Sequence, residues 1–203
     1  MKKKLLASLF VLGTTAGAFS PTTILATDVI GEPTADITIN GSLGVDNTDP
    51  NEEIDEGQTD WINVTLDTAT IFYNVSGTTN INSPTYNIAN NSGRPVKVSV
   101  QNFAQTDGSD LAVISGLNFI SSLDGTNVNQ PLITSGVLET FTTPAELFTL
   151  SNSAGNLTAD GTSTGSNATT FKYEGSVTAD NITPINPTFT LTLQLDAVEF
   201  TTN

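Results

Sequence analysis

Apolar side chains along this chain recur at every second position, in short segments separated by Gly, Asn, Asp and Pro. That period belongs to strands with one buried face, and the abundant Thr, Val, Ile and Phe favour extended backbone. The clearest run is Thr188 to Phe200. Phe189, Leu191, Leu193, Leu195 and Ala197 share one face, and Thr190, Thr192, Gln194 and Asp196 share the other. Val198 and Phe200 then change faces, which predicts a bulge or a switch of sheet. Ala35 to Leu43, with Ile37 and Ile39 on one face, is the first expected strand. Trp61 to Leu66, Thr70 to Val75, Tyr86 to Asn90, Pro95 to Phe103 and Thr169 to Val177 follow the same pattern. Shorter runs at Leu117 to Leu123, Gln130 to Ile133, Gly136 to Phe141 and Ala145 to Leu150 complete the set. Asn90-Asn91-Ser92-Gly93 carries turn residues, so Tyr86 to Phe103 reads as a hairpin with Val96, Val98 and Val100 inward. No window combines helical spacing with good helix formers and a cap.

Short strands with one apolar face each must bury those faces against a second sheet. The pattern therefore predicts an all-β fold, an antiparallel β-sandwich with Greek-key or Ig-like connections and no substantial helix after the first residues. Those first residues differ. Lys2, Lys3 and Lys4 precede the apolar run Leu5 to Gly13, and small residues follow, which is the layout of a secretory signal peptide. The run is shorter than the roughly 20 residues that span a bilayer. Cleavage is expected after Ala26, with Ala18 as the alternative, leaving residues 27–203 as one domain. Within it, 46–60 reads as an acidic loop and 151–167, rich in Gly, Ser, Thr and Asn, as a flexible one. The chain is then secreted, extracellular, and without an integral membrane segment after cleavage.

Composition narrows the chemistry. The chain has no Cys and no His, so disulfides, Cys/His zinc sites and histidine-based triads are excluded. Six basic residues face 21 acidic ones, a formal charge of −15 over 203 residues. Loss of the leader leaves only Arg94, Lys97 and Lys172, and −18. Such a surface disfavours nucleic acid, whose phosphates call for a basic face. Glu139, Glu146, Glu174 and Glu199 could serve a glycosidase-type carboxylate pair, but nothing in the sequence pairs them, and no enzyme is expected. Lys97 and Lys172 alternate with inward-facing neighbours and point to solvent, which argues against an internal lysine–asparagine bond.

Two features are candidates for binding. Asp46, Asp49, Glu52, Glu53, Asp55 and Glu56 could supply oxygen ligands to a calcium ion, although their spacing fits no loop with fixed ligand positions. The alternative is a solvated connector kept open by its own charge. The single tryptophan, Trp61, alternates against Ile62, Val64 and Leu66. If those fill the core, its indole lies outside or between elements, stacking on a sugar or anchoring a partner, or it covers an edge or the base of the acidic loop. Tyr73, Tyr86 and Tyr173 complete the aromatic candidates.

The layout as a whole carries a resemblance. It comprises the leader, the stretch Asp46-Asn47-Thr48-Asp49-Pro50-Asn51, and Trp61-Ile62-Asn63-Val64-Thr65-Leu66. Ser83-Pro84-Thr85-Tyr86-Asn87-Ile88, Asn90-Asn91-Ser92 and Pro95-Val96-Lys97-Val98 follow, ahead of a Thr-rich C-terminal part. In these features the chain resembles the small secreted WxL-type proteins of Gram-positive bacteria. The W-x-L motifs are not intact: Ile62-Asn63 follows Trp61. Tyr173-Glu174-Gly175-Ser176-Val177-Thr178 matches the start of the second motif, with Ala179 where its tryptophan belongs. The resemblance implies non-covalent cell-wall association, adhesion or assembly with other surface proteins. A fibre or biofilm-matrix subunit joined by strand addition, and a calcium-dependent binding module, are the alternatives.

Overall fold

The computed structural model describes residues 45–200. The expected leader and the expected strand at 35–43 lie outside the described residues. The described chain is all-β, with 11 strands and one 3-10 turn, Thr59–Trp61. The strands are β1 (Val64–Leu66), β2 (Tyr73–Asn74), β3 (Asn80–Asn82), β4 (Tyr86–Asn90), β5 (Val96–Gln105) and β6 (Ile114–Leu123). After them come β7 (Thr126–Thr134), β8 (Val137–Leu138), β9 (Ala145–Leu150), β10 (Ala168–Val177) and β11 (Phe189–Ala197).

They form an eight-stranded and a three-stranded sheet. The larger runs β1-β4-β10-β6-β7-β8, with β3 on β10 and β2 on β3; the smaller runs β11-β5-β9. Every pairing is antiparallel. β10 inserts between β4 and β6, and the connections on both sides of β5 and of β9, and the one into β11, cross between the two sheets. The core lies between the sheets: Val96, Val98 and Val100 of β5 face Ile88, Leu117, Phe119 and Phe171 of the larger sheet, all buried. A register shift in the β5–β11 pairing adds one residue after Val100. Phe103 therefore returns to the inward face three positions on, where strict alternation would have turned it out. Gly175 allows β10 and β6 to approach closely, since a Cβ there would overlap the Gly116 carbonyl.

Three expectations are corrected. Tyr86 to Phe103 is not a hairpin: β4 lies in the larger sheet and β5 in the smaller one. Asn90 and Ser92, both buried, make the crossing. The Asn90 side-chain amide donates to the carbonyls of Arg94 (2.7 Å) and Ser151 (2.8 Å). Its carbonyl oxygen accepts from the Ser92 amide at 3.0 Å. These bonds satisfy the backbone groups that a hairpin ladder would have used. Second, β11 ends at Ala197, so Val198 and Phe200 lie beyond the strand, and the irregularity in its pairing is the extra β5 residue opposite Thr192 and Leu193. Third, Trp61 sits in the 3-10 turn rather than in a strand, so it does not alternate with Ile62. Residues 151–167, expected as a flexible loop, fold back on themselves. Asn156 bridges Thr164, and the Asp124 carboxylate in the β6–β7 turn accepts from Ser166.

Candidate functional site

The strongest concave feature is a cleft of about 430 Å³ at one end of the gap between the sheets. The segment leading into β2 forms one wall and the start of β11 the other, with β10 and the start of β6 as the floor. Its surface is dominated by Phe72, Phe103, Phe189, Leu191, Ile81 and Tyr173. The rings pack on one another. Phe103 stacks on Phe189 at 5.0 Å, Phe72 lies 6.0 Å from Phe189, and Phe72 meets Tyr173 edge-on at 6.5 Å. Such offset and edge contacts suit aromatic quadrupoles and hold the cleft wall in place.

Two tyrosines tie down the wall. The Tyr86 hydroxyl accepts from the Ile71 amide at 2.7 Å and donates to the Ile71 carbonyl at 3.1 Å. The Tyr173 hydroxyl pairs with that of Thr70 at 3.1 Å. Burial pushes the Tyr173 phenol above its ordinary pKa, so it stays neutral and available for this bond. Beside the cleft, Ile71, Tyr73 and Val75 occupy alternate positions and are 62%, 48% and 51% exposed. They form an apolar stripe in which only Tyr73 belongs to β2, a two-residue edge strand that, among the described residues, pairs only with β3. Of the four aromatic candidates, the structure brings Tyr73 and Tyr173 to the cleft and places Tyr86 behind Tyr173, ring centroids 6.2 Å apart.

Trp61 is elsewhere and has no exposed surface. It packs with the only arginine in the chain. The Arg94 guanidinium lies 4.0 Å over the Trp61 ring and 4.6 Å over that of Phe200. Glu56 closes the arrangement, accepting from Arg94 Nε at 2.9 Å and from Nη2 at 2.5 Å. Arg94 also donates to the Pro50 carbonyl at 2.9 Å. Trp61 thus covers the base of the acidic loop, one of the placements expected for it, and is no platform for an external sugar. The hydrogen bonds from Arg94 hold the Glu56 carboxyl below its ordinary pKa.

The other acidic candidates each have a local role or face water. Asp46 accepts from the Thr48 amide and hydroxyl at 3.0 and 2.6 Å, which lowers its pKa. Asp49 accepts from the Asn51 amide at 2.9 Å, and Glu52 accepts from the Asp46 amide at 3.3 Å. Glu53 and Asp55 are exposed. Among the described residues, no three Asp or Glu side chains converge into a cluster that could hold an ion. The loop is a series of hydrogen-bonded turns pinned to the body by Glu56, not an open connector. The candidate carboxylates for catalysis are dispersed: Glu139 accepts from Thr134, Glu174 pairs with Lys172, Glu146 is exposed on β9, and Glu199 lies by Gly57.

No protein-family model matches the chain, and no curated protein matches its sequence. The resemblance to WxL-type proteins rests on the sequence layout alone.

The side chains that sequence reasoning missed are Phe72, Phe103 and Phe189. Each stood in its strand as an anonymous apolar residue. The signal available was a density of Phe and Tyr at the starts or ends of the runs at 70–75, 86–103 and 169–200. A second, more open trough of about 520 Å³ lies on the outer face of β6, β7 and β10, lined by Ile120, Val128, Asn129, Thr170 and the ion pair Lys172–Glu174. It offers few apolar groups and nothing that converges.

Proposed function

We propose that this is a secreted surface protein of a Gram-positive bacterium that acts by non-covalent association, with other surface proteins as its partners. The observation that carries this reading is the aromatic cleft with the exposed Ile71–Tyr73–Val75 stripe at its lip, running through the short edge strand β2 and the residues that flank it. An apolar stripe beside unpaired strand edge is the kind of surface that takes an extended segment of another protein. Charge bears on the choice of partner. All three basic side chains of the mature chain are paired with carboxylates, Arg94 with Glu56, Lys97 with Asp196 at 3.6 Å and Lys172 with Glu174. The remaining surface charge is negative. Anionic wall polymers are repelled by it over about 8 Å at physiological salt, while a neutral or basic protein surface is not.

Pelleting the secreted protein with isolated cell walls tests the reading. Walls carrying their native surface proteins should bring the protein down, and walls stripped of protein should leave most of it in the supernatant. Equal recovery on both would make a wall polymer the ligand. No recovery on either, at any salt or calcium level, would end the proposal.

A further inference from the structure

Among the described residues, no charged side chain lines the cleft. Its surroundings are different. Asp107 follows Thr106, whose amide donates to the Thr188 carbonyl of the cleft wall at 2.8 Å. Asp110 accepts from the Ala112 amide at 2.9 Å, beside Val113 of the lining. Asp180 opens the segment 181–187, which supplies Ile182, Ile185 and Pro187 to the lining. All three carboxylates are exposed. Ser109 and Gln105 donate to Asp107 at 2.5 and 2.8 Å and hold its carboxyl below the ordinary pKa, so it stays charged. The described cations lie elsewhere. Lys97 pairs with Asp196, about 23 Å along β11 from Phe189. Arg94 lies beyond that same end, against Phe200. Lys172, between the buried Phe171 and Tyr173, borders the trough on the outer face of the larger sheet. The cleft is an uncharged apolar site in a negative field.

Backbone pairing at the lip can contribute little to binding. β2 has two residues, and the Tyr86 hydroxyl already takes both backbone groups of Ile71. Side chains must therefore carry the contact, and Ile71, Tyr73 and Val75 repeat at about the 6.6 Å spacing of an extended partner's own side chains. The volume of about 430 Å³ lies near the lower end for small-ligand sites, and it admits one or two large side chains rather than a folded element. One side can yield to them: residues 181–187 make no backbone hydrogen bond with another described residue, and the segment is held at its ends by Asp180–Gly77 and Thr188–Thr106. Resting on the reading that the cleft receives another protein, we infer that its occupant is an extended segment with an aromatic or large aliphatic side chain flanked by Lys or Arg. The apolar side chain packs against Phe72, Phe103 and Phe189, and the flanking cations meet Asp107, Asp110 and Asp180. A segment flanked by acids is repelled by the same carboxylates. The described residues of a second copy offer no such segment, since Lys97 and Lys172 lie within ten-residue strands and Arg94 is buried.

Titration of the full chain with three end-blocked peptides, followed by the amide NMR signals of the cleft, provides the test. The probes are Lys-Val-Phe-Val-Lys, Glu-Val-Phe-Val-Glu and Lys-Ser-Gly-Ser-Lys. The first should shift the signals of Phe72, Phe103 and Phe189 and bind about tenfold tighter than the second at low salt. The gap should narrow at about 1 M salt, where the screening length falls to about 3 Å. The third, charged but without an apolar side chain, should leave those signals in place. Asp107→Asn combined with Asp110→Asn and Asp180→Asn should remove the preference for Lys over Glu and keep the apolar contact. Emission of the buried Trp61 verifies that the variant is folded. Four results would overturn the inference: equal affinity for the first two peptides, cleft shifts with the third, shifts confined to the acidic loop at 46–60, or no shift with any of them. Retention on protein-bearing walls together with one of these would mean a partner that docks elsewhere. Peptide binding as expected, without retention on any wall, would remove the surface-protein reading and leave the preference of the cleft standing.

Discussion

Arg94 is the residue on which three parts of the chain converge. Its guanidinium is held flat between Trp61 and Phe200, with Glu56 at its edge and the Pro50 carbonyl beyond. Removing the carboxylate would leave a largely buried cation with too few acceptors, a situation more costly than losing an exposed pair. Glu56→Gln should therefore lower stability by about 1–2 kcal/mol, the Glu56 side chain being partly open to water, and should alter Trp61 emission. The pH dependence has a definite sign. The folded pKa of Glu56 is depressed, so its contribution is present above the ordinary carboxyl range and is lost as pH falls through the lowered value. Urea titrations between neutral and strongly acidic pH should show a shallower acid loss in Glu56→Gln than in the natural protein. Little of this was legible beforehand. Alternation put Trp61 outside because the period was extended three residues too far, across a 3-10 turn. The one available sign was a single arginine among so many acids, next to a strand and a turn.

At the scale of elements, the inward faces of β5, β9 and β10 follow from their sequences, since a strand buried on one face cannot slip by one residue without exposing all of it. Tyr86–Asn90 and Ala145–Leu150 have the bounds expected of them. What the pattern could not convey is which sheet a strand joins. Asn90-Asn91-Ser92-Gly93 has the composition of a tight turn, and only burial of Asn90 and Ser92 distinguishes a crossing between layers from a hairpin within one. β3 escaped notice because Ile81 is its only apolar residue, between Asn80 and Asn82. Gly175 had been read merely as one position in an alternating run, yet it sets the β10–β6 spacing. Gly175→Ala should destabilise the protein by about 1–3 kcal/mol, the usual range for overpacking. Thermal melting would check it, with Gly108→Ala, in open space, as the neutral comparison.

For the whole molecule, the all-β class and the two-layer architecture were legible because many short amphipathic strands admit few other solutions. The cleft was not, because it depends on where the crossing connections bring Phe72, Phe103 and Phe189, residues far apart in the chain. The charge distribution has one more consequence. Among the described residues, a protease that cuts beyond Lys or Arg has three possible positions. Arg94 precedes Pro95, a poor bond for such enzymes, while Lys97 and Lys172 lie within β5 and β10 and are paired with carboxylates. Cleavage needs several residues of locally opened backbone, which strands inside a sheet do not provide. Residues 45–200 of the folded chain should stay intact through a trypsin digestion that fragments the urea-unfolded form, with gel electrophoresis as the readout. Placing the few cations of the described residues in ion pairs, two of them on paired strands, leaves the fold little for such an enzyme to grip, although no disulfide holds it closed.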